Sequence, residues 1–297
     1  MSSRLLLNLV LLIAVVSLGL YITLTPQHAP PPAKAKLTGL QADAIQRITV
    51  RHGRDPESQN TVLQIQDGRW RMIKPVNMPA NTFQVQKLAQ LAEIPSQSHY
   101  PAQADKLAAM GLDKPAVTLT LNDVSIGFGG TDPINQFRYV LLGDTVHLIV
   151  DNVSHILLQA PASLGNTALL PQHNNITRLV LPHFSLSKDS EGNWRVEGAS
   201  TTSVSQDDLM AFIDDWRFAE ALHISFVHQL TAADKALPRV AITLQGETTP
   251  HIFYLDTRAN NFILTQAEPG IRYHFIKDKQ QRLLSLPTSE PPSTPSN

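Results

Sequence analysis

Cysteine is absent from the 297 residues. That excludes a disulfide framework, a thiolate metal site and a thiol nucleophile. Charge is scarce: Asp, Glu, Lys and Arg together make 16% of the chain, and the formal net charge is −1. Without a basic stripe there is no electrostatic footprint for nucleic acid. The 11 histidines never fall in a His-x-x-x-His or His-Glu-x-x-His spacing, which would set two imidazoles on one helix face for zinc. Gly-x-Ser-x-Gly, the elbow of the common serine hydrolases, is missing as well. No cofactor or metal is expected, and the chain reads as non-catalytic.

What is present begins with an apolar N-terminus. After Arg4, the run Leu5–Leu24 is broken only by Asn8, Ser17, Gly19, Tyr21 and Thr23 and contains no full charge. About 20 such residues suffice for a helix to cross a bilayer. A cleavable signal has a shorter apolar stretch and a small-x-small cleavage site, whereas Thr25-Pro26-Gln27-His28 follows here. Residues 1–25 are therefore expected to be an uncleaved single-pass transmembrane anchor, and the lack of cysteine excludes a lipoprotein anchor. Arg4 and the short tail favour an N-in orientation. This places the bulk of the chain in the periplasm, on the cytoplasmic (inner) membrane of a bacterium. Residues 26–40, which include Pro-Gln-His-Ala-Pro-Pro-Pro, are expected to be a semi-rigid Pro-rich linker.

The remainder repeats itself. Asp67-Gly68-Arg69-Trp70-Arg71-Met72 recurs as Glu191-Gly192-Asn193-Trp194-Arg195-Val196, 124 positions on. Val117–Leu121 recurs as Val240–Leu244, 123 positions on, and the hairpin pattern Tyr139–Asp151 is paralleled by Phe262–Asp278. A constant offset of this length marks a duplicated domain rather than a solenoid. Asp67-Gly68, Gly143-Asp144, Gln245-Gly246 and Pro269-Gly270 lie between alternating runs and predict hairpins. Ser205 with Asp208 predicts a helix start, after which Leu209, Phe212, Ile213 and Trp216 share one face. Asn81 or Thr82 starts the matching helix, with Val85, Leu88, Leu91 and Ala92 inward. Near Ala102–Met110 a short helix is expected to stop at a left-handed Gly111, before Pro115. The expected fold class is α+β: two tandem units, 41–160 and 161–286, each a mostly antiparallel sheet with helices on one face. The tail 287–297 is too polar and proline-rich to fold.

Few residues promise chemistry. Gly127-Phe128-Gly129-Gly130-Thr131-Asp132 resembles a phosphate cradle, but it lacks the Gly-Lys-Ser/Thr ending and no helix follows it. Gly127, Gly129, Gly130 and Asp132 are accordingly turn or bulge residues, with contact to a ligand or partner as the sharper reading. Arg138 suits either an internal acid or a partner. His147 and Asp151 are too far apart along a strand to act together. His223 and His228, five apart, diverge if they lie on a helix. Asp207-Asp208 and Asp214-Asp215 read as helix surface, and Trp70 and Trp194 as core or interface pieces.

Several strings, taken in order, resemble the bacterial family labelled domain of unknown function 4340. They are Gly68-x-Trp70 with Pro75 shortly after, Leu107-Ala-Ala-Met-Gly111-Leu-Asp-Lys-Pro115, Ile126-Gly-Phe-Gly129, Arg138-Tyr-Val140 and a hairpin ending at Asp151. The first copy, about Ile45–Asp151, carries the resemblance. The second lacks the Gly-Leu-x-x-Pro and Arg-Tyr-Val strings. The resemblance implies an envelope protein accompanying a membrane complex, often near ABC-type transporter components of the gliding-motility kind, and it supplies no catalytic residues. The expected role is a non-catalytic accessory or scaffold protein with an envelope partner. The alternatives are a glycan, lipid or peptide module using the groove between the copies near Gly127–Asp132, and a hydrolase with a site outside known motifs.

Overall fold

A computed structural model describes residues 3–24, 34–53, 60–171, 175–198, 204–258 and 261–287. The chain divides into two compact units, residues 1–36 and 37–297. The first holds helix α1, Ser3–Leu24. Its side chains are described at residues 7, 10–17 and 19–21. Among the described residues no helix is long and apolar enough to cross a membrane, so the span expected over Leu5–Leu24 is not established by them. Most of the Pro-rich linker and all but the first residue of the tail lie outside the described residues.

The second unit begins earlier than the expected boundary at 41. Leu37 and Thr38 are buried, and their amides donate to Ile94 O (2.8 Å) and Ala92 O (3.0 Å). Four residues assigned to the linker thus belong to the folded body, because Leu37 supplies apolar surface to the core.

The first half of this body runs β1 Arg47–His52, β2 Thr61–Gln66, β3 Arg69–Lys74, β4 Met78–Pro79, α2 Thr82–Gln90, β5 Ser98–Pro101 and α3 Ala104–Leu107. It continues with β6 Val117–Leu121, β7 Val124–Thr131, β8 Arg138–Leu142, β9 Thr145–Ile149 and α4 Ser154–Leu158. The second half runs β10 Ile176–Val180, β11 Ser185–Lys188, β12 Trp194–Glu197, α5 Gln206–Arg217, β13 His223–Phe226 and α6 Ala232–Lys235. After these come β14 Arg239–Leu244, β15 His251–Asp256, β16 Ile263–Gln266, β17 Ile271–His274 and α7 Asp278–Leu284.

The strand orders are β4-β3-β2-β1-β6-β7-β8-β9-β5 and β12-β11-β10-β14-β15-β16-β17-β13. With β4 set aside the two are the same path, and every pairing is antiparallel. The duplication seen in the residue offsets is therefore a duplication of topology. Local chemistry sets the turns: Asp67 (φ 50°) and Gly68 (φ 73°) both take the left-handed region, as a two-residue hairpin requires.

Alternation places apolar rows face to face, Ile48 and Val50 of β1 opposite Leu121 and Leu119 of β6. Helices cover these rows. Asn81 caps α2 by accepting from Gln84 N, and Ser205 caps α5 by accepting from Asp208 N. Their inward faces are Val85, Leu88 and Ala89 in the first half and Leu209, Phe212, Ile213 and Trp216 in the second.

The two halves share one core rather than forming separate units split at 160/161. The connector is bonded on both sides. Asn81 N donates to Leu164 O (2.9 Å) and Asn166 N to Pro79 O (3.0 Å), while Leu169 N donates to Ala219 O and Ala221 N to Thr167 O (both 2.9 Å). Gly165 lies where they meet: a β-carbon there would strike Ile224 of β13 and come 3.1 Å from Met78 Sδ of β4.

Candidate functional site

The glycine string is an internal seat. The turn after α3 ends on Gly111 (φ 68°), and Leu112 N folds back onto Leu107 O (2.8 Å). The following chain presses onto β7. Gly130 N donates to Met110 O (2.7 Å). A β-carbon on Gly129 would strike Met110 O and come 2.8 Å from Leu112 Cδ2, and one on Gly127 would come 2.8 Å from Pro115 Cγ. The Gly-Leu-x-x-Pro segment and the Gly-x-Gly strand are thus two sides of one contact, with glycine needed for the close approach. On the side where a β-carbon would stand, both Gly127 and Gly129 meet packed chain rather than open space.

Asp132 organises the loop between β7 and β8. Its amide donates to Phe137 O (2.7 Å), and its carboxylate accepts from Asn135 N (2.8 Å) and the Tyr139 hydroxyl (3.2 Å). The Asn135 amide, above all, holds this carboxyl below the usual range. Burial, then Asp132, pushes the Tyr139 phenol up. The loop presents Ile134 to solvent at 84% exposure.

Arg138 finds an internal acid. Its Nε donates to Asp151 Oδ2 (2.7 Å) and its Nη1 to Gly129 O (3.0 Å). The other carboxylate oxygen accepts from Val153 N (3.2 Å) and Ser154 N (2.9 Å), anchoring the start of α4. Burial alone would raise the Asp151 carboxyl; hydrogen bonds from Ser154 and Arg138 outweigh it and bring it below the usual range. Arg138 borders a pocket of about 100 Å³ lined also by Val117, Phe128, Gly129, Leu157 and Leu158.

A roomier pocket, about 240 Å³, lies in the second half between Lys188, Trp194, Gln206, Met210, Asp214 and Arg217. Trp194 is buried, with Lys188 Nζ 5.3 Å from its ring centroid. Arg217 Nη1 stands 3.9 Å from Asp214, and its Nε is buried with no hydrogen-bond partner among the described residues. This pocket could receive a small carboxylate. Among the described residues, no three His, Asp or Glu converge to hold a metal ion.

The family model described as domain of unknown function (DUF4340) matches residues 70–238, more than half of the chain. The chain belongs to this family. The match begins at Trp70 and runs past α6, so the family pattern spans the join of the two halves rather than the first copy alone. No curated protein and no solved structure matches the chain.

The remaining candidates sit apart from one another. Asp208 lies in the first turn of α5, its amide donating to the cap Ser205 Oγ (3.1 Å), and Asp215 pairs with Arg282 of α7. His223 lies on strand β13, not on a helix, and its partner is His274 rather than His228. The rings of His223 and His274 stack at 4.3 Å, and those of His99 and His147 at 5.6 Å. Sequence spacing gave no sign of either pair, because the partners are 51 and 48 positions apart and only strand register joins them.

Proposed function

We propose that the chain is a non-catalytic, membrane-anchored accessory protein whose two-sheet body docks a protein partner in the bacterial envelope, such as an ABC-type transporter. One observation carries the docking half of this reading. The polar groups of greatest sequence promise are engaged inside the fold, while Leu222 (70% exposed) and Ile276 (47%) stand in solvent beside the edge of the second sheet, and Phe218 (69%) stands in solvent at the C-terminal end of α5. Leu222 N donates to His274 O (2.8 Å), which brings Leu222 beside the strand leading to Ile276. Grouped exposed apolar side chains mark contact surfaces.

The anchor rests on the sequence. The described positions of α1 do not amount to a span, and the reading comes from the residues of the whole segment. It forms 22 helical residues, about 33 Å at 1.5 Å per residue, with no full charge between Leu5 and Leu24. A helix that is apolar all round suits lipid.

The experiment is cross-linking in native membranes followed by mild-detergent capture and mass spectrometry. A chain lacking the residues before Lys36 is run beside the full one. A stoichiometric membrane partner that depends on the N-terminal segment supports the reading, and a chain recovered alone rejects it.

A second reading, a ligand-binding module, is favoured by the Lys188–Arg217 pocket rather than by Gly127–Asp132. Calorimetric titration with small carboxylates and neutral oligosaccharides tests it, and the absence of heat with both would reject it.

A further inference from the structure

Each sheet ends in space on a short strand that arrives from elsewhere in the chain, β5 in the first and β13 in the second. Each strand carries a histidine directly opposite a histidine of its neighbour. His99 faces His147 across β5 and β9, and His223 faces His274 across β13 and β17. The pairs are not copies of one another. His147 is the third residue of β9 and His274 the fourth of β17, so after their hairpin turns they point to opposite faces. The same device has been built twice, by different registers, at the same place in the sheet.

We propose that β5 and β13 are latched by neutral histidine pairs and released in mild acid. In both pairs the outer ring is exposed and the inner one half-buried. Each inner ring also meets a serine hydroxyl. Ser96 Oγ lies 3.0 Å from His147 Nδ1 and donates to Ser98 O (3.0 Å), tying the approach to β5 to that ring. Ser225 Oγ of β13 lies 2.8 Å from His274 Nε2. Two protonated rings at such spacings repel across the ladder that holds the strand.

Among the described residues, no carboxylate is within ion-pairing distance of any of the four rings. His147 faces Val140 of β8 on its other side. His274 faces Ile263 of β16. Arg272, two residues before His274, adds positive charge, although it is paired with Asp234 of α6 at 3.1 Å. Burial first, and the partner histidine next, hold both inner imidazoles below their ordinary value of 6.5. A histidine depressed in the folded state protonates more readily once its strand has opened. The latch is therefore complete above about pH 6.5 and weakens as pH falls from there through the depressed value. One proton taken up on opening makes the opening equilibrium rise by up to about tenfold per pH unit in that window.

The test is hydrogen–deuterium exchange on the full chain at about pH 7.5 and about pH 5.5, each corrected for the intrinsic exchange rate. The result expected is loss of protection in 98–101 and 223–226, with the central strands β1 and β10 unchanged. His99→Gln should flatten the response of β5 and leave that of β13, and His223→Gln should do the reverse. Equal protection at both pH values, or a response that survives both substitutions, would overturn the proposal. Imidazole NMR titration of the unmodified chain is the second readout: His147 and His274 must titrate below the ordinary value, and titration at or above it also overturns the latch.

Discussion

At Trp70 and Trp194 the two halves meet one need with different parts. Both tryptophans lie on the strand that follows the first hairpin, and the outer side of that strand needs hydrogen-bond partners. In the first half the chain turns back as β4, and Ala80 N donates to Trp70 O (3.1 Å). In the second, the Gln206 side chain does the work: its oxygen accepts from Trp194 N and its amide donates to Trp194 O, both at 2.8 Å. One sheet gains a ninth strand, and the other is sealed at the tryptophan by its own helix. The helices differ in the same sense. Val85, Leu88, Ala89 and Ala92 stand 124 positions before Leu209, Phe212, Ile213 and Trp216, and each residue is larger in the second half. The first half instead brings in Leu37 and Ile45 from the chain before β1. Duplication fixed the path of the strands, while the filling of the core was settled separately in each half.

The strongest way to break this comparison is Trp216→Ala. Trp216 is fully buried, and its Nε1 donates to Leu283 O (2.8 Å), tying α5 to α7. Emptying that space should cost about 4 kcal/mol, read as a fall in the urea midpoint. A loss below about 1 kcal/mol would mean the second core does not depend on its helix.

Gly129→Ala probes the feature found only in the first half, the seat beneath Met110–Leu112. Its β-carbon meets backbone at Met110 O, which cannot swing aside as a side-chain tip could, so a loss of about 3 kcal/mol is expected. Gly143→Ala, with nothing near its β-carbon but φ at 56°, should cost about 1 kcal/mol. Equal effects would remove the seat from the account.

Arg138→Ala leaves Asp151 half-buried without its guanidinium and should cost about 2 kcal/mol. The pH dependence carries a sign. Asp151 is held below its ordinary 3.8, so its contribution is full above that value and lost as pH falls through the depressed one. The variant should show a flatter acid limb in thermal melts. Gln206→Ala, like Gly143→Ala, should cost about 1 kcal/mol. It should also raise amide exchange at Trp194 while leaving Trp70 as it was.

Much of this architecture is legible in the sequence. The Asp67-Gly68 turn, the caps at Asn81 and Ser205, the left-handed stop at Gly111 and the 124-residue offset each rest on interactions within a few residues or on a pattern that repeats. What stayed hidden depends on distant parts of the chain meeting. Leu37 looked like linker because its partners, Ile94 and Ala92, lie beyond the first sheet strands. Gly127 and Gly129 looked like a loop because the segment pressing on them is not marked in their own neighbourhood. The separate units expected from the repeat proved to share a core, since Gly165 carries no signal that Met78 and Ile224 close around it. Arg138 and Asp151 were both singled out, but only the return of β9 beside β8 joins them.

The docking we propose runs through the second half. The most direct measurement is cross-linked capture from native membranes with Phe218→Ser/Leu222→Ser, set against Ile134→Ser on the first half and the unmodified chain. The account predicts a stoichiometric partner with the unmodified chain and with Ile134→Ser, reduced at least about tenfold by the double substitution, as loss of a contact worth about 1.4 kcal/mol or more would give. Capture unchanged by Phe218→Ser/Leu222→Ser, or no partner with any chain, would contradict it.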